Sequence, residues 1–487
     1  MSVKAERVTD VLIEPNPRRV LFRPFQPRDE SRVMKIIARI MSLSKTEVKQ
    51  ELKQVMAEFE QRHPRVEQFL LRRFEDVRPY LILDKPLSKE RQLLIGSYFT
   101  QEFSLESAAL FNPSMIWHPD QSGVPEGSRR FIISLRATGE GHISSISFRT
   151  GIINSRKQIN MDAPSPYVTT PEIHPNPTYD KGLFEQKLLE VDLLNDFSTR
   201  VLNGLDASFS LEALREGINY ARRQSRTKNG NILSTARGML ALAESNYEVF
   251  FKPEDHISER IIFPTSQTEL NGIEDARFVE FREEDGRVTY YATYTAYNGK
   301  FIFPQLLETP DFLDFRISTL NGEAVQNKGM ALFPRKINGK YAMLARQDNE
   351  NIYIMFSDHI QFWHETKLIL KPTYPWEYVQ LGNCGSPIET DAGWLVLSHG
   401  VGPMRKYSMG AFLLDKDDPT RVIGRLKEPL LTPNENEREG YVPNVVYSCG
   451  GQVFNNTLVI PYAMSDYASS FALVDLDELL TELTRGE

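Results

Sequence analysis

The sequence predicts a mainly β fold, a five-bladed β-propeller with an N-terminal helical extension and a helical insertion. Five segments share one design, an aromatic or β-branched strand, a polar turn and a second strand. They are RRFIISLRATGEGHISSISFRTG from Arg129, GRVTYYATYTAYNGKFIFP from Gly286, GKYAMLARQDNENIYIMFSDHIQFW from Gly339, GWLVLSHGVGPMRKYSMGAFLLDKDDP from Gly393 and NTLVIPYAMSDYASSFALVDLDEL from Asn456. The last four begin 53, 54 and 63 residues apart, a spacing that suits one four-stranded blade per unit. The 157 residues from the first segment to the second contain LEALREGINYARRQ from Leu211 and ILSTARGMLALAESNYEVF from Ile232, joined by the polar SRTKNGN. These read as two helices, which makes the gap an insertion. Because the five units diverge in sequence, a two-sheet sandwich stands as the rival architecture.

Residues 1–103 are expected to form an extended and helical unit. After a start containing Pro15, Pro17, Pro24 and Pro27, apolar residues recur at helical spacing from Ser31, again through KTEVKQELKQVMAEFEQRH, from Val66 and from Lys89. The second stretch carries a start signal, since Ser44 or Thr46 can cap amides while Glu47 sits in the positive first turn. Each stripe needs a neighbouring surface to cover it. From 104 to 487 the texture changes to short β-like runs between Gly, Asn, Asp and Pro turns, and the helical insertion falls around 205–248.

Composition excludes several classes. The 487 residues are 41% hydrophobic and 25% charged, ordinary globular chemistry rather than a disordered, collagen-like or coiled-coil chain. Lys and Arg total 57 against 65 Asp and Glu, a net charge of −8 with the cations scattered, so no nucleic-acid partner is expected. No run reaches the roughly 18 apolar residues of a membrane span, and the start lacks an apolar signal core, so the expectation is a cytoplasmic chain with no membrane partner. Cys384 and Cys449 are the only cysteines and read as two reduced, partly buried thiols. The spacing of His, Cys and Asp suggests no metal-ligand set.

Charged residues inside apolar strands are the most informative features. Arg136 interrupts FIISLRAT, Arg346 interrupts YAMLARQD, His399 follows WLVLS and Asp466 follows TLVIPYAMS, all at matching offsets in their units. Burial of each would carry a desolvation cost unless it is partnered, so convergence on one pocket competes with local salt bridging, Arg346 with Asp348 for instance. In LNGIEDARFVEF, Glu274 and Asp275 are adjacent, so in a regular strand they face opposite ways and only one points inward; Arg277 shares the side of Asp275. In NKGMALFPRK, Lys328 precedes an apolar strand.

FNPS from Phe111, SLRA ending at Ala137, NGIEDARF from Asn271, YTAY from Tyr294, NKGMALFPRKINGKYAMLAR from Asn327, GWLVLSHGV from Gly393, KYSMGAFLLD from Lys406, RLKEPLLTP from Arg425, VPNVV from Val442 and YAMSD before Tyr467 follow in order. Over roughly residues 104 to 480 this series resembles glycoside hydrolase family 130, the β-mannoside phosphorylases and related β-1,2-mannosidases. The resemblance implies an inverting phosphorylase that needs no cofactor and no metal, with inorganic phosphate as co-substrate and α-D-mannose 1-phosphate as product. β-1,2-Mannooligosaccharides come first as substrate, ahead of β-1,4-mannosyl-glucose or β-1,4-mannosyl-N-acetylglucosamine, and a homo-oligomer is expected.

The resemblance also implies roles. Asp275 matches the family's single catalytic acid, which delivers its proton through the mannosyl 3-hydroxyl, although Ala276 stands where the commonest pattern has proline. Asn112, Arg136 and Asp466 match positions that hold the mannosyl unit, and Lys328, Arg346, His399 and Tyr407 match groups that grip phosphate. The rival is the hydrolytic branch, which uses water and a glutamate base, here a glutamate outside the motifs such as Glu269 or Glu323. Phosphate is already an anionic nucleophile, so a phosphorylase can omit that base and needs cationic donors instead.

Overall fold

Strand faces in this chain are buried on both sides, and the architecture follows from that. The structure, a computed structural model, describes residues 3–81, 86–224, 230–299 and 302–485. Five larger antiparallel sheets carry most of the strands. The first is built on Ala109–Trp117, Arg129–Thr138 and Ser144–Ile153, and the second on Ile273–Arg282, Val288–Tyr297, Ile302–Thr309 and Asp314–Thr319. The third runs Lys328–Leu332, Tyr341–Arg346, Ile352–Ser357 and Thr366–Leu370. The fourth orders Gln380–Asn383, Gly393–Val401, Tyr407–Leu414 and Val422–Arg425, and the fifth holds Val446–Tyr447, Thr457–Met464 and Ala468–Asp475.

Each sheet packs on the next through an apolar core of its own. Phe148 and Ile132 of the first sheet meet Phe278 and Tyr290 of the second, and Phe281 and Leu306 meet Met330 and Met343 of the third. Leu344 and Ile354 meet Trp394 and Phe412 of the fourth, while Leu395 and Leu397 meet Leu458 and Ile460 of the fifth. The fifth returns to the first, where Val459 and Phe471 pack with Phe131 and Ile133. Adjacent residues such as Phe278 and Val279 therefore serve different cores.

Four helices occupy the N-terminal region, Glu30–Met41, Lys45–Phe59, Val66–Val77 and Lys89–Tyr98. The second starts as the sequence suggests, with Ser44 and Glu47 forming a reciprocal capping box. Two findings differ from the expected boundaries. Glu6–Ile13 is a strand paired with Ala468–Asp475, so the first residues complete the last sheet instead of joining the helices. The helices between the first two sheets also begin earlier than expected, with Lys181–Glu190 and Asp196–Asn203 ahead of Leu211–Gln224 and Gly230–Glu244. They share a core in which Phe197, Leu214 and Met239 are buried. Most of the SRTKNGN connection lies outside the described residues.

A buried ionic knot ties the N-terminal segment to the first sheet. Glu106, fully buried, is ion-paired with Arg19, whose Nε lies 3.0 Å from Oε1, and accepts from Arg149 Nη2 at 2.7 Å. Arg19 also donates to the carbonyls of Ser165 and Ser258. Burial, and then the neighbouring Arg149, lower the Arg19 guanidinium to about 10. Removing the one carboxylate leaves two guanidiniums without their counter-charge in an apolar setting. Glu106→Ala is therefore expected to cost about 3–5 kcal/mol in urea denaturation; an unchanged midpoint would show that the knot is redundant.

Candidate active site

Three strands that open their sheets break regular pairing at their starts, and the candidate site lies at those breaks. The register shifts between Phe111 and Ser114, between Glu274 and Arg277, and between Lys328 and Ala331. The residues at the breaks are left-handed: Asn112 has φ 48°, Asp275 φ 54° and Gly329 φ 85°. Such bulges re-aim side chains. The expectation that Glu274 and Asp275 face apart fails for this reason, because both reach Arg136. Glu274 Oε1 accepts from Arg136 Nη2 at 3.0 Å, and Asp275 Oδ1 lies 3.6 Å from Nη1. Arg277 also departs from expectation: its Nη1 donates to the backbone carbonyl of Asp275, and its other donors go to Cys384 O and Tyr447 Oη.

Asn112, Asp275, Arg136 and Asp466 form one cluster. Asn112 Nδ2 donates to Asp275 Oδ1 at 2.7 Å. Burial works against ionising Asp275, but Arg136, Arg277, the Asn112 hydrogen bond and Lys328 together hold its carboxyl below the usual range. Asp466, also left-handed at φ 51°, behaves oppositely. Burial and the charge of Asp275 push it up to about 7, with Arg136 only partly compensating. Asp275 therefore stays ionised where Asp466 still holds a proton, up to about neutrality.

Lys328, Arg346, His399 and Tyr407 form an adjoining cluster. Lys328 and Arg346 are register partners. Lys328 Nζ donates to Glu274 Oε2 at 2.5 Å, so Glu274 links the two clusters. Arg346 Nη1 meets His399 Nε2 at 2.9 Å, and the Tyr407 ring stacks on His399 with centroids 6.0 Å apart. Local pairing of Arg346 with Asp348 does not occur; Asp348 instead accepts from Asn351 and Tyr353. His399 is not the cation its sequence position suggests. Burial, then Arg346 and Arg277, push its pKa far down, so the neutral ring accepts from Arg346. Arg346 Nε and His399 Nδ1 are buried without a hydrogen-bond partner among the described residues.

Residues 234–485 match the sequence profile of glycoside hydrolase family 130, described as β-1,4-mannooligosaccharide phosphorylase. The chain belongs to glycoside hydrolase family 130. Among its relatives, the 1,2-β-oligomannan phosphorylase of Thermoanaerobacter sp. (strain X514) is 39% identical over 220 residues, 44% of this chain and 72% of that protein. The β-1,2-mannobiose phosphorylase of the same organism is 33% identical over 248 residues, 48% of this chain and 74% of that one. Among solved structures, the Listeria innocua β-1,2-mannobiose phosphorylase in complex with β-1,2-mannobiose is 22% identical, with a TM-score of 0.46, covering 78% of this chain and 93% of that chain.

The stretch matched to family 130 leaves out the strands Ala109–Trp117 and Arg129–Thr138, yet the fold carries Asn112 and Arg136 from those strands onto Asp275. Sequence reasoning missed Tyr447, whose hydroxyl accepts from Arg277 and whose ring meets the His399 ring edge-on at 4.9 Å. The VPNVV motif ends one residue before it. Gly382 was also missed. A Cβ there would stand 2.5 Å from His399 Cε1 and 3.0 Å from Arg346 Nη1, so glycine leaves the space that this pair fills. Both cysteines are buried and free, and burial raises the Cys384 thiol to about 12.

Asp466 gives the site a pH signature. Between its ordinary 3.8 and its folded value of about 7, the folded state retains a proton that the unfolded chain has released. This group's contribution therefore makes the protein less stable as pH rises through that window and is constant above it. Asp466→Asn is expected to gain on the parent chain by roughly 2–4 kcal/mol between pH 4 and 8. Denaturation midpoints of both proteins across that range check this, and parallel curves would place the proton elsewhere.

Proposed function

We propose that the chain cleaves β-mannosides, β-1,2-mannooligosaccharides first, by inverting phosphorolysis that releases α-D-mannose 1-phosphate. The observation that carries this reading is the buried Arg346, which faces a neutral imidazole and whose Nε, like His399 Nδ1, has no hydrogen-bond partner among the described residues. Buried donors of this kind call for an anion. The names of the relatives supply the chemistry: the anion is inorganic phosphate and the sugar is β-linked mannose.

In this reading Asn112, Arg136 and Asp466 hold the mannosyl unit, while Lys328, Arg346, His399 and Tyr407 hold phosphate. A phosphate oxygen attacks the anomeric carbon as the glycosidic bond breaks on the opposite face. The leaving oxygen takes its proton from Asp275 through the mannosyl 3-hydroxyl. Asp275 is ionised in the free site, so it must be loaded first. A phosphate beside Lys328 and Arg346 offsets part of the positive field that holds Asp275 low, which favours protonation of the acid when the nucleophile is present. The five sheets then act as the blades of a five-bladed propeller, with residues 104–487 as the catalytic domain and 1–103 as an N-terminal unit that lends its first strand to the fifth blade. The closed succession of five inter-sheet cores supports this architecture.

Three measurements test the reading. Incubating the protein with β-1,2-mannobiose, and with β-1,4-linked mannosides in parallel, should give α-mannose 1-phosphate only when phosphate is added; equal sugar release without phosphate overturns it in favour of hydrolysis. Asp275→Asn should lower kcat by about 10²–10⁴ with KM for the mannoside nearly kept. Arg346→Ala should raise KM for phosphate roughly tenfold to a hundredfold, the loss of one charge-assisted hydrogen bond. An unchanged phosphate dependence would make the Arg346 cluster architectural.

A further inference from the structure

We propose that Tyr441, oriented by His142, is the platform on which the acceptor sugar rests, the sugar on the leaving-group side of the scissile bond. The inference rests on the function proposed above and adds a specificity residue to it. Tyr441 is 52% exposed, although a tyrosine usually buries its ring. It is nevertheless held at several points. The residue after it, Val442, donates its amide to Ser465 O at 3.0 Å. The residue before it, Gly440, lies so close to Ser465 that an added Cβ would stand 2.4 Å from that same oxygen. Ser465 immediately precedes Asp466, so the Tyr441 backbone is fixed beside a mannosyl-site residue.

The side chain reaches across to the first sheet. Its hydroxyl shares a hydrogen bond of 3.2 Å with His142 Nδ1, and the two rings lie 5.6 Å apart. His142 belongs to the turn joining Arg129–Thr138 to Ser144–Ile153, six residues beyond Arg136. The next strand begins at Ser144, whose Oγ donates to Ile273 O at 2.8 Å, directly before Glu274. The Tyr441–His142 pair thus spans the neighbours of Asp466 on one side and of Arg136 and Glu274 on the other. The polar clusters around Asp275 are half-buried or buried, whereas this pair is exposed. A mannooligosaccharide with its terminal unit at Asp275 must extend outward, and an exposed, pre-oriented aromatic face suits the apolar C–H face of the next sugar. Pre-orientation by His142 lowers the ordering cost of that contact.

Synthesis from α-mannose 1-phosphate, with mannose and β-1,2-mannobiose as acceptors, tests the assignment. Tyr441→Ala should raise acceptor KM roughly three- to tenfold, the scale of one aromatic contact. KM for α-mannose 1-phosphate and the melting temperature should stay as in the parent chain. Tyr441→Phe keeps the ring and should retain most of the acceptor affinity, while His142→Ala, which frees the ring, should raise acceptor KM by a smaller factor. Unchanged acceptor KM in Tyr441→Ala overturns the inference. So does a parallel rise of KM for both substrates with a lowered melting temperature, which would mark the pair as a structural clip between sheets. If the parent chain makes no oligosaccharide from α-mannose 1-phosphate and no sugar phosphate in the forward direction, the proposed function itself fails, an outcome separate from the other two.

Discussion

The left-handed backbone at Asp275 is the constraint on which the site depends. In a regular strand, Glu274 and Asp275 would serve opposite faces, and Arg136 could meet only one of them. The bulge puts both on Arg136 and leaves the Asp275 carbonyl for Arg277. A non-glycine residue held at φ 54° costs on the order of 1–3 kcal/mol, and Asn112 and Asp466 add similar strain. That strain is tolerable because the surrounding sheets are packed on both faces and leave the strands no room to relax. Packed sheets and irregular strand starts are two aspects of one design.

The electrostatics follow from that geometry. Arg136, Arg277, Lys328 and Arg346 converge with Glu274, Asp275 and Asp466, but the charges are not evenly matched. Glu274 is occupied by Arg136 and Lys328 together, and Asp275 sits in a surplus of positive charge that keeps it ionised. Asp466, desolvated by burial and repelled by Asp275, keeps its proton to higher pH instead. At the other end, Arg346 donates to a neutral histidine. The site is thus polarised, short of negative charge near Arg346 and His399, and an anion bound there feeds back on the acid. Nucleophile binding and acid protonation become linked equilibria rather than independent tasks.

The sequence exposed the parts of this arrangement that repeat. Arg136, Arg346, His399 and Asp466 stood out because each breaks or ends an apolar run at the same offset in its unit, and all four do lie on or just after the second strand of their sheets. The bulges were invisible, since alternation is the only strand rule a sequence offers and a bulge is its violation. The pairing of Glu6 with Leu473 was equally out of reach, because nothing local links residues so far apart in the chain. Tyr447 lay beyond the edge of a motif, and its importance comes from Arg277 turning toward it. Gly382 takes its meaning only from the imidazole beside it, which no local sequence pattern reveals.

The same geometry bears on the choice between phosphate and water. Hydrolysis with inversion needs a carboxylate free to take a proton from water. Glu269 is not free: it is fully buried and accepts from the Tyr247 and Tyr294 hydroxyls and from the amides of Thr265 and Ser266. Those bonds fasten the turn before the second sheet to its Val288–Tyr297 strand, which pairs with the strand that carries Asp275. Glu323 lies exposed in the turn ahead of Lys328 and is held in no cluster with the acid. Neither glutamate is placed as a base. The guanidinium of Arg346, set against a neutral imidazole, by contrast suits an anionic nucleophile better than a neutral water.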